Sequence, residues 1–202
     1  HGADQMDAAD VTLADYVTRV GVVLSQAPSP VHLVGHSLGG ITITQAGEDY
    51  PGLISKLVYL TAFIPGDNES RFDLDGGGAE GSLTGNYRIF SSDKKTMVIA
   101  DEGIKPTFYA DCDEETVSWV KERLCPQATV IAQTKVRTSD ARWGSIPRVY
   151  IECTEDRAIP ISQQRACWER HPCAPVITME TSHSPFMSAP EMLADHLHRL
   201  AD

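Results

Sequence analysis

Several kinds of protein are argued against by what this sequence lacks. It has no C-x-x-C spacing, and its five cysteines (Cys112, Cys125, Cys153, Cys167, Cys173) are odd in number, which argues against a zinc knuckle and against a fully paired disulfide framework. Mostly reduced thiols are expected, with a Cys167 to Cys173 bridge as the alternative. There is no cluster of Lys and Arg; 17 basic against 28 acidic residues give a net charge of −11, so no nucleic acid or other polyanion is expected as a partner. No apolar run approaches the roughly 20 residues that span a bilayer. The longest, around Leu57 to Ile64, is strand-sized and interrupted by Thr61. His196 and His198 are two apart on a helical stretch and point to different faces, so they make a poor metal pair; no metal and no cofactor are expected. The only low-complexity stretch is a glycine patch around Gly76, Gly77 and Gly78, with no strand before it and no helix after it, which argues against a phosphate cradle. The odd cysteines and the acidic balance suggest a cytoplasmic location. The chain opens at His1 rather than Met, so a signal peptide cannot be read from it.

What is present suits one folded core. A chain of 202 residues that is 42% hydrophobic lies within single-domain size. Thr12 followed three residues later by Asp15 resembles a capping box, and Leu13, Tyr16, Val17, Val20, Val23 and Leu24 recur at helical spacing up to Pro28. Val31 to Val34 reads as a strand, Gly35 to Gly40 as a tight glycine turn, and Ile41 to Tyr50 as a helix closed by Pro51. Leu57 to Leu60, Arg148 to Glu152 and Pro175 to Met179 read as further strands, with helices at Ile161 to Arg170 and Ala189 to Leu200. Apolar strands alternating with helices predict a mostly parallel sheet covered on both faces, an α/β fold. The core spans residues 1–66 and 144–202; the insertion at 67–143, with a helical stretch from Asp113 to Arg123, reads as a cap. Seven of the chain's aromatics lie in it (Phe72, Tyr87, Phe90, Phe108, Tyr109, Trp119, Trp143), expected mainly as the cap's own small core and otherwise as a pocket roof.

Gly35-His36-Ser37-Leu38-Gly39 matches G-x-S-x-G between a strand and a helix, the context that turns a serine hydroxyl outward at a sheet's carboxyl edge. A serine is a poor nucleophile unless a base takes its proton and a third group orients that base. Asp156, just beyond the third core strand, and His183, just beyond the fourth, supply both in the order Ser, Asp, His. Glu155 and Glu152 are the alternative acids; His32, His36, His171 and His1 are weaker bases by position.

These residues resemble the α/β-hydrolase superfamily, most closely its small capped esterases, which include salicylate-binding-type methylesterases and hydroxynitrile lyases. The matching pieces are Val31 to Gly40, Leu57 to Pro65, Val149 to Pro160 and His183-Ser184-Pro185-Phe186. The resemblance implies an α/β-hydrolase fold with a cap inserted in the second half. It implies Ser37 as nucleophile, His183 as general base and acid, and Asp156 as orienting carboxylate. The Leu38 N–H would be an oxyanion-hole donor, and Ala62 and Phe63 would border the acyl pocket. Hydroxynitrile lyases carry a lysine directly after the triad histidine, and Ser184 stands there instead, which argues against lyase chemistry. The family also has a strand and an His-Gly loop ahead of the part that His1-Gly2 resembles. The N-terminal strands are therefore expected to be missing here, with a separate or removed N-terminal segment completing the sheet beside Val31 to Val34. The expected activity is cleavage of small apolar carboxylic esters through an acyl-enzyme. A lactonase or cyclase on the same triad, or a low-turnover ligand sensor, is the alternative.

Overall fold

The computed structural model describes residues 6–75 and 80–200; His1, Gly2 and the Gly76 to Gly78 patch lie outside the described residues. In chain order the elements are α1 (Leu13–Leu24), β1 (Val31–His36), α2 (Gly39–Asp49), β2 (Ile54–Leu60), α3 (Arg71–Asp75), β3 (Arg88–Phe90), β4 (Thr96–Ile99), α4 (Asp101–Phe108), α5 (Glu114–Lys121), β5 (Gln127–Ala128), α6 (Val130–Gln133), β6 (Arg148–Cys153), α7 (Ile161–Arg170), β7 (Val176–Met179), α8 (Pro185–Ser188) and α9 (Pro190–Arg199). No helix among the described residues is long and apolar enough to cross a membrane.

Helix α1 starts where its capping box dictates. The Asp15 N–H donates to the Thr12 hydroxyl at 3.3 Å and the Thr12 N–H donates to the Asp15 carboxylate at 2.8 Å, so two end donors are satisfied reciprocally. Strands β1, β2, β6 and β7 form one parallel sheet in that spatial order. Because all three pairings are parallel, every strand's carboxyl end opens on the same edge, and the loops after all four strands meet there. Alternate residues of the central strands feed two cores, as the two-residue period of a strand requires. Leu57, Tyr59 and Tyr150 join one cluster, with Ile41 and Ile43 of α2. Val58, Leu60, Val149 and Ile151 join the other, with Leu193 beyond them. Burying each such side chain stabilises the fold by about 1.5 to 3 kcal/mol relative to exposing it. Strand β1 stands at the sheet edge among the described residues, and its Val34 is exposed.

The insertion at 67–143 departs from expectation in two ways. Beyond the anticipated helix, which is Glu114–Lys121 with Asp113 capping it, it holds a three-stranded antiparallel sheet in the order β3-β4-β5. Nor do its aromatics make a private core. Phe72, Phe90 and Phe108 line a cavity, Trp143 joins the main core cluster, and Trp119 is exposed. Ala128, Ile131 and Val136 of the insertion also belong to the main cluster, so cap and sheet share one apolar interior.

Against the alternative of a Cys167 to Cys173 bridge, both are free thiols. Cys167 is buried in the core on α7, while the Cys173 thiol donates to the His171 carbonyl at 3.3 Å. Burial holds the Cys173 thiol up at about 12, which keeps it protonated.

Candidate active site

Ser37 occupies the turn between β1 and α2 with φ 55, a left-handed conformation that a non-glycine residue adopts only when its surroundings enforce it. The surroundings are explicit. The Ser37 N–H donates to Leu60 O at 3.2 Å, and the Ser37 carbonyl accepts from the Phe63 N–H at 3.3 Å and from the Gly40 N–H at 3.1 Å. A Cβ on Gly40 would lie 2.1 Å from the Phe63 carbonyl oxygen, so only glycine lets α2 start this close to the end of β2. This close approach fixes the serine at the sheet edge. The Leu38 N–H that follows it makes no hydrogen bond among the described residues and begins α2, where the helix dipole favours negative charge.

Asp156 and His183 come together. The His183 Nδ1–H donates to Asp156 Oδ2 at 2.6 Å, and both side chains are buried. The other carboxylate oxygen of Asp156 accepts the N–H groups of Ala158, at 2.6 Å, and Ile159, at 2.9 Å. The Thr61 hydroxyl donates to Oδ2 as well. Four donors therefore converge on one buried carboxylate and hold it in place. The alternative acids are placed elsewhere: Glu155 is exposed, and Glu152 is buried in a separate group with Arg165, Trp168 and Thr178.

Two contributors were not legible beforehand. Thr61 sits at the end of β2 with φ 37, a strained conformation for a β-branched residue, and this turns its hydroxyl to Asp156. His36, a weaker base by its place on the elbow, is half-buried and its Nε2–H donates to the His183 carbonyl at 2.7 Å. Its ring centroid is 4.5 Å from that of His183. Burial first, then the neighbouring His183, holds His36 down at about 3, so it stays neutral and serves as a strut under His183.

The cap also reaches the loop that carries His183. Asp111 accepts both the N–H of Ser182, at 2.8 Å, and the Ser182 hydroxyl, while Phe108 packs edge-on against the His183 ring at 5.3 Å between centroids. Ser37, Leu38, Phe63 and Phe108 line a cavity of about 190 Å³ whose wall is otherwise largely apolar, with Met97 and Ile159 among its members. Phe63 lines the cavity. Ala62 is corrected: it is fully buried, its N–H and C=O both bonded to the Tyr150 hydroxyl at 2.9 Å, so it packs behind the cavity wall. No group of His, Cys, Asp and Glu among the described residues has the arrangement of a metal site.

Comparison with known proteins agrees with this geometry. A model of the alpha/beta hydrolase family matches residues 1–196. Methylesterase 1 of Arabidopsis thaliana is 32% identical over 203 residues, covering 95% of this chain and 77% of that protein. A pyrethroid hydrolase of Sphingobium wenxiniae is 31% identical over 199 residues, covering 95% of this chain and 71% of that protein. Among solved structures, polyneuridine aldehyde esterase superposes with a TM-score of 0.86 at 24% identity, over 100% of this chain and 84% of that one, a likeness of fold alone. With its serine elbow and four strand-end loops converging on one edge, the chain belongs to the alpha/beta hydrolase family, among its carboxylic ester hydrolases.

Proposed function

We propose that this protein hydrolyses small apolar carboxylic esters through a Ser37 acyl-enzyme, with His183 as general base and acid and Asp156 as the carboxylate that orients it. The single observation that carries this is the buried His183 Nδ1 to Asp156 bond at 2.6 Å, on a loop whose His183 carbonyl is bonded to His36, the neighbour of a serine held at φ 55 on the wall of a largely apolar cavity. With Nδ1 committed to Asp156, the imidazole keeps Nε2 as the base. Ser37 Oγ attacks the ester carbonyl as Nε2 takes its proton, and the resulting oxyanion is held by the Leu38 N–H. Collapse expels the alcohol, which takes the proton from Nε2. Water, deprotonated by the same nitrogen, then releases the acid and restores the serine. Asp156 stays ionised throughout and stabilises the imidazolium.

The apolar wall supports an uncharged hydrocarbon part next to the scissile bond, and the methylesterase and pyrethroid hydrolase relatives support an ester as the reacting group. Replacing Ser37 by Ala tests the role of the nucleophile. Turnover of a para-nitrophenyl ester is expected to fall by about 10⁴- to 10⁶-fold if the three residues act as a unit. Hydrolysis by Ser37→Ala at close to the wild-type rate would end the proposal.

A further inference from the structure

A second cavity, of about 350 Å³, lies in the cap against the catalytic one. The two have three lining residues in common, Met97, Phe108 and Gln127, so these side chains form a wall with a face on either side. Two of the three are tied in place. Phe108 packs edge-on against the His183 ring, and Gln127 Nε2 donates to Ala128 O at 3.1 Å and to the Tyr16 hydroxyl at 3.3 Å. Met97 brings only an unbranched thioether chain with three rotatable bonds, the kind of side chain that fills an irregular gap. Its direction is set by the cap's sheet. Met97 on β4 stands opposite Phe90 on β3 and opposite Gln127 on β5, and residues paired across antiparallel strands share a face. All three line the catalytic cavity. The ladder bonds of β4 belong to its backbone, so a shorter side chain at 97 leaves the hydrogen bonding of the sheet intact. Behind the wall, four of the seven lining residues that are not shared are aliphatic: Val98, Ile99, Ile104 and Leu124. The one charged side chain in that lining, Lys121, is paired with Asp101 at 2.7 Å.

We propose that Met97 is a specificity-determining residue: it closes the catalytic cavity off from the second one and so sets how long a hydrocarbon arm the ester can carry. The catalytic cavity of about 190 Å³ takes a short arm, and the 350 Å³ behind Met97 takes the excess once that side chain is shortened. Met97 belongs to the cap's antiparallel sheet, whereas Ser37, Asp156 and His183 follow strands of the parallel sheet, so the wall can change while the triad keeps its support. Phe108 does not allow this separation, because its ring touches that of His183 and a change there alters base and wall together. The inference rests on the proposed Ser37 hydrolysis and adds to it the limit on substrate length. Burying one methylene is worth about fourfold in an equilibrium, so two or three methylenes admitted past the wall are worth roughly 15- to 60-fold.

The test uses two ester series of increasing length. Para-nitrophenyl esters of straight-chain acids lengthen the acyl arm, and acetates of straight-chain alcohols lengthen the alcohol arm. In the wild type, kcat/KM is expected to fall steeply past a certain length in at least one series. In Met97→Ala that limit is expected to move out by two or three carbons, with kcat/KM just beyond the old limit rising roughly 15- to 60-fold. The shortest ester of each series is expected to be cleaved as by the wild type. Leu124 lines the second cavity and not the catalytic one, so Leu124→Trp added to Met97→Ala is expected to cancel the gain. Should Met97→Ala not fold, Met97→Val, whose branched side chain suits a strand, makes a smaller opening and is expected to move the limit the same way. No fall with length in the wild type, a limit unmoved in both series, or a gain that survives Leu124→Trp overturns the inference. Ser37→Ala, assayed alongside, separates the two levels. If it cleaves the short esters at the wild-type rate, the hydrolase reading itself fails. If it is inactive while the Met97 variants leave the limit unmoved, only the assignment of Met97 fails.

Discussion

The floor of this site and its roof are held by different physics. On the floor, Ser37, Thr61, Asp156 and His183 each follow a strand of one parallel sheet, so their loops open on one edge. Their positions are then locked by the elbow's bonds to Leu60 and Phe63, by four donors on Asp156 and by the His36 strut under His183. The roof is built from strands of two to four residues and from side chains such as Phe72, Phe90 and Phe108 that touch the cavity but hold no catalytic bond. Its polar tie to the loop that carries His183 is Asp111 on Ser182. Such a division lets the chemistry stay fixed while the roof's side chains set what enters. It also predicts that substitutions of equal size will cost more on the floor than in the roof.

The largest test is Thr61→Val, which keeps the branched shape at φ 37 and deletes only the hydroxyl that bonds Asp156. A charge-assisted hydrogen bond is lost, so kcat/KM on a simple ester is expected to drop about 10- to 100-fold with little change in Tm. An unchanged rate would mean that Ala158, Ile159 and His183 alone hold the carboxylate.

His36 gives the next largest effect, as a dependence of stability on pH. Burial holds its native form neutral down to about 3, whereas the unfolded chain takes up a proton near 6.5. Below 6.5 the unfolded state therefore binds a proton that the native state refuses. Stability from this group is full above that pH and falls, by about 1.4 kcal/mol per unit, as the pH drops towards 3. Urea unfolding between about pH 7 and about pH 5 should show this slope in the wild type and a shallower one in His36→Gln. Equal slopes would remove His36 from the account.

The smallest is Asp111→Ala in the roof. Its loss loosens the loop that carries His183, so kcat is expected to fall by only about 3- to 10-fold while KM for a small ester stays close to wild type. A loss greater than that of Thr61→Val would reverse the comparison and make the cap, rather than the sheet edge, the element that organises the base.

The same division decided what the sequence could reveal. Ser37 was legible because its turn is a local pattern of five residues between a strand and a helix. Asp156 and His183 followed from chain order, since a parallel sheet that advances in one direction brings every strand end to one edge. Thr61 and His36 were not, because their partners lie 95 and 147 residues away and exist only once neighbouring strands are in register. Ala62 was placed in the cavity on resemblance, and the Tyr150 hydroxyl that pins it behind the wall comes from a strand 88 residues later. The cap's helix was visible through its Asp113 start, where the carboxylate accepts the Thr116 N–H at 2.8 Å. Its three strands were not, since stretches of two to four residues carry too few alternations to show a period of two. The pairing of Arg71 with the rings of Phe63 and Phe72 was likewise hidden, because cap and sheet meet only in three dimensions.

The central claim, that Ser37 is an activated nucleophile, is tested most directly by the intact mass of the protein before and after a fluorophosphonate serine probe, with the adduct mapped by peptide sequencing. The account predicts one adduct per chain, on Ser37, absent from Ser37→Ala and slowed in Thr61→Val. No adduct, or an adduct on another serine in a protein that still cleaves esters, would contradict it.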